Sequence, residues 1–454
     1  MKILLVCSFF PPDNHVGANR WAIIASELHK NGHQLLILAA ERRGRAKSHQ
    51  SLGSPPLGIG IPQMRVFLPT RLSWERRAAR VTRWLGSQAR KQRNNAGSSE
   101  QHHSRSVECG ISEGAVRKKP WCYPDHEASW RWATKAVSKS RSRIRDFSPD
   151  VIVATHPYLG CLRVGHTLSK ELKIPWIADL RDPIHNDHQL KSKSLSLLLE
   201  SDERILLSSA SRVIAINEQL ARMLLTDKVV DIVPQSYVPR KVHISNQSVA
   251  ADRSNDVVRL LYTGSIQDEC LYREFFDWIL NAGSEMSSVR ACSSLQIEYC
   301  GPHFNRIARY CSPLVERGIR LMSHGNLPHA KCLEMQEKAD ALVVFGWRNA
   351  SGDCVMTGKL FDYMSAARPV IAIASKGTAL AATVAETGIG VCIGTQDAMS
   401  KLLCGGASGL RKKLRAVALA RQPDSCARYS PQRNAELYEA ILADSVRISP
   451  TYAD

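Results

Sequence analysis

Thr357-Gly358-Lys359-Leu360-Phe361-Asp362-Tyr363-Met364-Ser365-Ala366-Ala367-Arg368-Pro369-Val370-Ile371 reads as one supersecondary unit. Thr357 suits an N-cap, since its hydroxyl can accept one of the orphan N–H groups of a first helical turn. Leu360, Phe361 and Met364 recur at i, i+1 and i+4 on one face, Pro369 stops the helix, and Val370 to Ala374 is an apolar run of strand length. Just upstream, Ala341 to Gly346 reads as another buried strand, and the loop Trp347 to Met356 with Gly352 joins it to the helix. The helix thus begins where a strand has just ended. In open α/β sheets ligands sit outside the carboxyl ends of strands, and a helix N-terminus offers a phosphate unpaired N–H groups and a positive dipole end. Lys359 adds a full charge there, and Asp362, one turn further, is an acceptor suited to sugar or ribose hydroxyls. The competing reading is that both charges are the solvated face of an amphipathic helix.

Working outward, the rest of the second half alternates in the same way. Apolar runs at Val258 to Tyr262, Leu295 to Cys300, Ile319 to Ser323 and Gly390 to Ile393 alternate with helical patterns, which predicts a parallel sheet. The turn Thr263-Gly264-Ser265 follows the first of them, and Pro431 to Leu442 has the spacing of a final amphipathic helix.

The first half opens with a buried strand, Lys2 to Cys7, then a loop from Ser8 to Asn19 holding Pro11, Pro12 and Gly17. Trp21, Ile24, Ala25 and Leu28 give a helix stripe, and Gln34 to Ala39 the second strand. This βαβ opening is Rossmann-like although it lacks G-x-G-x-x-G. From Pro149 the alternation resumes with Val151 to Ala154, a helix over Leu159 to Leu172, and Ile174 to Ala178. Polar groups follow both strands: Thr155-His156-Pro157 after one, Asp179-Leu180-Arg181-Asp182-Pro183 after the other. His156, Asp179, Arg181 and Asp182 are therefore expected to converge at one rim, the alternative being a structural His and a self-satisfied ion pair.

Between these parts, residues 41–148 read as an irregular basic insertion. Arg71 to Arg93 holds eight basic residues and one Glu, with Trp74, Ala78, Val81 and Leu85 at i, i+4, i+7 and i+11. With Trp84 beside the stripe, this is the composition of a helix lying in a membrane interface, or of a core-facing helix with an arginine-rich solvent face. Asn94 to Lys119 is polar and Ser-rich, without periodicity, and is expected to be a loop.

Composition bounds the class. With 454 residues, 44% hydrophobic and 23% charged, the chain can bury two cores. The net charge of +19 sits in the first half: residues 1–245 hold 38 Lys and Arg against 21 Asp and Glu, residues 246–454 hold 23 against 21. A basic half suits nucleic acid, an anionic membrane surface or a phosphorylated substrate. Thirteen cysteines are scattered without C-x-x-C or zinc spacing, so neither a disulfide framework nor a structural metal is expected. The N-terminal apolar run is too short for a signal peptide, and no run reaches the 18 or so residues of a membrane span, so a cytoplasmic location is expected.

The stretch from Gly358 resembles the donor-site helix of family 4 of the retaining glycosyltransferases, whose usual pattern is close to K-L-x-E-Y-M-A-x-G-x-P-V. M-K-I-L-L-V-x-x-x-F-P-P-x-x-x-x-G at the N-terminus resembles the opening of the same family. W-I-A-D-L-R-D-P and Y-P-D-x-x-x-x-W resemble its members that build bacterial surface polysaccharides. The resemblance implies an α/β GT-B fold, two Rossmann-like domains whose parallel sheets face an interdomain cleft. It divides the chain into an acceptor-binding domain over 1–235, a linker over 236–256, a nucleotide-sugar-binding domain over 257–430, and a last helix over 431–454 that returns to the first domain. It places Gly264, Ser265, Thr357, Gly358, Lys359 and Asp362 at the donor, with Arg348 or Arg273 in place of an Arg that many members carry where Ser265 stands. Gly17, Asn19 and Arg20 fall in the acceptor-side loop, and Asp182, His156, Asp179 and Arg181 at the reacting sugar. Two departures stand out: Asp362 replaces the usual Glu, and Cys354 replaces the partner Glu eight residues earlier.

The implied activity is transfer of a sugar, with retention, from a nucleotide-diphosphate sugar to a growing surface polysaccharide (O-antigen, capsule or exopolysaccharide) on a polyprenyl-diphosphate lipid. An anionic membrane contact would be carried by Trp74, Arg76, Arg77, Arg80 and Trp84 on the cytoplasmic face. No D-x-D occurs, so no cofactor and no obligatory metal is expected. A non-catalytic or nucleic-acid-associated basic protein on the same scaffold, and a sugar-nucleotide 2-epimerase, are the alternatives. Against nucleic acid, the chain shows no aromatic-basic interleaving that would stack bases.

Overall fold

The computed structural model describes residues 1–13, 16–41, 60–67, 124–185, 193–237, 257–266, 269–282, 294–348, 352–422 and 424–448. Trp74, Arg76, Arg77, Arg80 and Trp84 lie outside these residues, as does the Ser-rich segment after them.

Strands β1 (Lys2–Cys7), β2 (Gln34–Glu41), β3 (Gln63–Phe67), β4 (Val151–Thr155), β5 (Trp176–Leu180), β6 (Arg212–Ala215) and β7 (Val230–Ile232) form one parallel sheet, in the order β3-β2-β1-β4-β5-β6-β7. Strands β8 (Val258–Thr263), β9 (Leu295–Cys300), β10 (Arg320–Ser323), β11 (Ala341–Phe345), β12 (Val370–Ile373) and β13 (Gly390–Ile393) form a second, in the order β10-β9-β8-β11-β12-β13. Each sheet reverses its strand order once, between β1 and β4 and between β8 and β11, and the crevice outside such a reversal is where doubly wound folds bind ligands.

Both faces of each sheet are covered. Leu4 and Val6 pack into one cluster while Ile3 and Leu5 pack into another on the opposite face. In the second sheet Leu260 and Tyr262 face one way and Leu261 the other. Burial on two faces explains why these strands read as unbroken apolar runs rather than alternations. The helices that bear on function are α1 (Val16–Lys30), α2 (Pro124–Phe147), α3 (Leu159–Leu172), α4 (Lys193–Ser209), α5 (Glu269–Leu280), α6 (His329–Lys338), α7 (Gly358–Ala366) and α8 (Pro431–Ile448). Among the described residues no helix is long and apolar enough to cross a membrane.

Helix α8 leaves the second sheet and packs on the first domain. Ala435, Tyr438, Ile441 and Leu442 share a buried cluster with Ile3, Leu5, Trp21 and Ile24. Asn434 Nδ2 donates to Pro234 O and Ser236 Oγ, both at 2.8 Å, fixing the helix to the chain as it leaves the first sheet.

Three details differ from the sequence reading. The insertion is not irregular throughout, since it holds β3 and the 24-residue α2. Helix α2 buries Trp132, Ala133, Ala136, Val137 and Ile144, but Arg and Lys interleave with small residues and blur its stripe. The segment read as loop to Asn19 is already helical from Val16, so Gly17, Asn19 and Arg20 belong to the first turns of α1. Strand β5 runs on to Leu180, and its register pairs Thr155 with Asp179 and Asp179 with Ile214, so Asp179 is inside the sheet rather than in a turn beyond it.

Candidate active site at the facing strand ends

That two-residue extension of β5 splits the expected polar cluster. Asp179 is fully buried and accepts from Tyr438 Oη at 2.6 Å, Thr155 Oγ1 at 2.9 Å and Arg20 Nη2 at 3.1 Å. Arg20, also fully buried, donates further to Pro234 O at 2.7 Å and Val233 O at 3.0 Å. Burial works to lower the Arg20 pKa, but the charges and hydrogen bonds of Asp179 and Tyr438 outweigh it and hold the guanidinium protonated. Arg20 and Asp179 therefore tie α1, β5, the chain after β7 and α8 together from inside the fold. The expectation that Arg20 faces an acceptor and Asp179 a reacting sugar is corrected: neither is presented to the rim.

His156, Arg181 and Asp182 do meet there. His156 Nδ1 lies 3.1 Å from the Asp182 carbonyl, which fixes the tautomer with the proton on Nδ1 and leaves Nε2 as an acceptor. Burial pushes the imidazole down to about 4; the Asp182 carbonyl opposes this and the Arg181 charge adds to it. A neutral ring with so low a pKa is a weak base, well suited to receive a hydrogen bond from a hydroxyl. Arg181 is buried beside it, and its Nε has no hydrogen-bond partner among the described residues. Burial lowers the Arg181 pKa, and Asp182 is the main charge that counters it. Asp182 itself is half-buried.

At the reversal point of the second sheet, the turn after β8 and the start of α7 interlock. Thr357 caps α7, accepting from the Lys359 N–H at 3.4 Å. Tyr363, buried in α7, accepts from the Thr263 N–H at 3.0 Å, and Gln336 of α6 donates to Thr263 Oγ1 at 3.0 Å. Gly264 donates to Cys300 O at 2.7 Å, and Tyr262 Oη donates to Ser265 O at 2.7 Å. Two glycines are required by this crowding. A Cβ on Gly264, whose φ is +123°, would stand 2.0 Å from Lys359 Cε; a Cβ on Gly301 would stand 2.1 Å from Gly264 O.

Lys359 thus lies flat across the glycine turn with Nζ 5.6 Å from the Tyr262 ring centroid. Its ammonium makes no ion pair or hydrogen bond among the described residues. Burial lowers its pKa and Asp362 opposes that. Asp362 is exposed enough to reach a ligand, with His329 Nε2 at 3.6 Å. Ser265 is half-buried and Gly358 is the first residue of α7. Arg348 is occupied elsewhere: its Nη2 contacts Glu274 Oε1 at 2.5 Å and Cys270 O at 3.2 Å on α5. Arg273 pairs along α5 with Asp277 at 4.0 Å. Neither is a free phosphate cation in this arrangement.

The two rims are joined by the loop before α7. Cys354, fully buried, packs with Val355 and Met356 against the cluster of the first domain, and its carbonyl accepts from Asn217 Nδ2 at 2.8 Å. Asn217 follows β6, and its Oδ1 also caps the short helix Glu218–Ala221. The carboxyl ends of both sheets therefore face each other across this contact. Gly301, Gln336, Asn217 and Tyr438 were not singled out in the sequence; each acts through a partner distant along the chain.

A family model described as glycosyl transferase 4-like domain matches residues 17–241. A search of curated proteins finds no match. Among solved structures, the chain is similar to the OtsA apo structure, with 12% identity, coverage of 97% of this chain and 99% of that one, and a TM-score of 0.60. It is similar to sucrose-phosphate synthase from Thermosynechococcus elongatus, with 14% identity, coverage of 98% and 99%, and a TM-score of 0.57. The N-terminal domain of Candida albicans trehalose-6-phosphate phosphatase gives 12% identity, coverage of 98% and 97%, and a TM-score of 0.56. At these identities the likeness is one of fold, and the fold is GT-B: two Rossmann-like domains with parallel sheets.

Proposed function

We propose that this chain is a retaining glycosyltransferase that takes a sugar from a nucleotide-diphosphate sugar and passes it to a growing, lipid-linked surface polysaccharide. The observation that carries the donor half of this reading is Lys359, a half-buried ammonium that makes no ion pair or hydrogen bond among the described residues, set across the Gly264 turn at the N-terminus of α7. As the sugar leaves, negative charge develops on the diphosphate, and a preorganised cation with helix N–H groups stabilises that charge most where water is excluded. Gly264 allows close approach of the backbone, and Asp362 is placed to accept from ribose hydroxyls. Without a D-x-D sequence in the chain, no metal is invoked for the phosphates. On the facing rim, neutral His156 receives a sugar hydroxyl through Nε2, and Asp182 is the carboxylate that assists the acceptor.

Calorimetry with UDP-, GDP- and dTDP-sugars tests the donor site: one series binds, and Lys359→Ala weakens it about 10- to 100-fold, the range for losing a hydrogen bond to a charged group. In turnover with that donor, Asp182→Asn lowers kcat with KM for the donor nearly unchanged, and EDTA has no effect. Absence of binding by all three series removes the donor reading; full turnover by Asp182→Asn removes that carboxylate from the chemistry.

A further inference from the structure

Two cysteines stand directly behind the pocket. Cys300 ends β9 and its carbonyl receives the Gly264 N–H at 2.7 Å; Cys332 sits in the first turn of α6. Their Sγ atoms are 3.1 Å apart, both as free thiols. Cys300 is buried, whereas Cys332 is partly exposed. No other part of the proposed chemistry uses either one.

We propose that Cys300 and Cys332 are a reversible dithiol–disulfide site whose closure weakens nucleotide binding in the adjoining pocket. The second half of this statement rests on the donor reading above; the first half does not. A thiolate is the reactive form, and helix N-termini and hydrogen-bonding neighbours favour it. The hydrogen bond from Cys332 holds Cys300 down to about 7, against the opposing effect of burial, while the shared proton raises Cys332. The pair therefore loses its first proton near neutrality and carries one negative charge between two sulfurs.

The oxidant we invoke is a small disulfide such as glutathione disulfide. In the singly deprotonated pair the shared proton passes to Cys300 as the partly exposed Cys332 sulfur attacks, as the thiolate, one sulfur of that disulfide, forming a mixed disulfide and expelling one glutathione thiolate. Cys300, next to it, gives up its proton and attacks Cys332 Sγ, forming the internal bond and expelling the second glutathione. Two protein thiols are oxidised, one small disulfide is reduced to two thiols, and the two protons pass to them.

The new bond draws the sulfurs from 3.1 Å to about 2.05 Å. Helix α6 must follow, and two of its side chains touch the pocket: Gln336 holds Thr263 Oγ1 at 3.0 Å, and His329 Nε2 is 3.6 Å from Asp362. On the other side, Cys300 O anchors the Gly264 turn under Lys359. Closure moves both supports of the phosphate turn at once.

The full-length protein is equilibrated in glutathione buffers from fully reduced to fully oxidised, alkylated and digested, and its peptides are weighed. The expected result is a peptide pair joined through Cys300 and Cys332, released by dithiothreitol and absent from Cys332→Ser. Two separate alkylated peptides throughout, or glutathione adducts without the joined pair, overturn the site. Affinity for UDP, GDP and dTDP is then measured on both forms. The nucleotide that binds does so at least about fivefold more weakly to the oxidised form, the lower end of ordinary coupling between sites, and Cys332→Ser binds equally in both buffers. Equal affinities of the two wild-type forms overturn the coupling. If neither form binds any nucleotide, the donor reading and the coupling both fail, while the joined peptide still decides the thiol pair.

Discussion

Asp179 and Asp182 are one turn of sequence apart and have opposite fates. Asp179 has its acceptor capacity taken by Arg20, Thr155 and Tyr438 inside the fold, and stripping one partner from such a buried pair costs about 3–5 kcal/mol. Asp182 remains half-buried at the rim, its carbonyl fixing His156. The D-x-R-D pattern announced polar groups at a strand end, but in a strand a shift of one residue reverses the face, so the end of β5 had to be known before the two aspartates could be told apart. His156 carries a testable consequence. Its pKa is about 4 in the folded protein against an ordinary 6.5, so between these values the unfolded chain binds a proton that the folded chain refuses. Stability therefore falls as pH drops through that window, by about 2–3 kcal/mol between pH 7 and pH 4.5 from this residue. In His156→Asn the amide can donate to the Asp182 carbonyl in place of Nδ1, and nothing titrates. Urea unfolding at the two pH values should show wild type losing that much more than the variant; equal losses would mean that His156 is not held neutral by burial.

At the scale of elements, the stretch Thr357 to Ile371 was readable because every signal in it is local. The cap, the stripe and the proline specify α7 and β12, and Thr357 does cap the helix. What the local pattern could not supply was the surface on which α7 is seated: Tyr262, Thr263 and Gly264 lie about a hundred residues earlier and Gly301 about sixty, and only the β8-β9-β11 topology unites them. Arg348 shows the same limit from the other side, since the resemblance offered it in place of the Arg that many members carry where Ser265 stands, and α5 claims it through Glu274. The glycine turn makes a sharp prediction. Gly264→Ala places a methyl against the flexible end of Lys359 and forces alanine to a φ of +123°, which costs about 1–3 kcal/mol in strain. The lysine can swing away and the fold survive, so calorimetry should show nucleotide affinity reduced about tenfold or more while the circular dichroism spectrum is retained. Unchanged affinity would mean that Lys359 does not need to lie across this turn. Gly301→Ala, in contrast, meets a backbone oxygen that cannot move aside.

At the scale of the whole molecule, α8 and the Asn217–Cys354 contact hold two domains with their strand ends facing, and the charge is divided unequally between them: 38 Lys and Arg against 21 Asp and Glu in residues 1–245, and 23 against 21 in the rest. The cleft does not require that imbalance, for the proposed donor is itself anionic and sits on the nearly neutral half. An acceptor carried on a polyprenyl diphosphate does give it a use, because the reacting sugar then lies at an anionic membrane surface to which the enzyme must come. Each Lys or Arg near such a surface contributes roughly 1 kcal/mol before screening, and apolar side chains entering the interface add to it. The segment from Arg71 to Arg93, outside the described residues, has eight basic residues with Trp74 and Trp84 among them. Wild type should sediment with vesicles of anionic lipid at low salt, be released as salt rises toward molar concentrations where the screening length shrinks to a few ångströms, and ignore neutral vesicles. Joint replacement of Trp74, Arg76, Arg77, Arg80 and Trp84 should abolish sedimentation and leave nucleotide affinity intact, since the proposed donor site is on the other domain. If wild type stays in the supernatant with anionic vesicles at low salt, or the replaced protein pellets as well as wild type, the arginine face is solvated and the acceptor is a soluble glycoside.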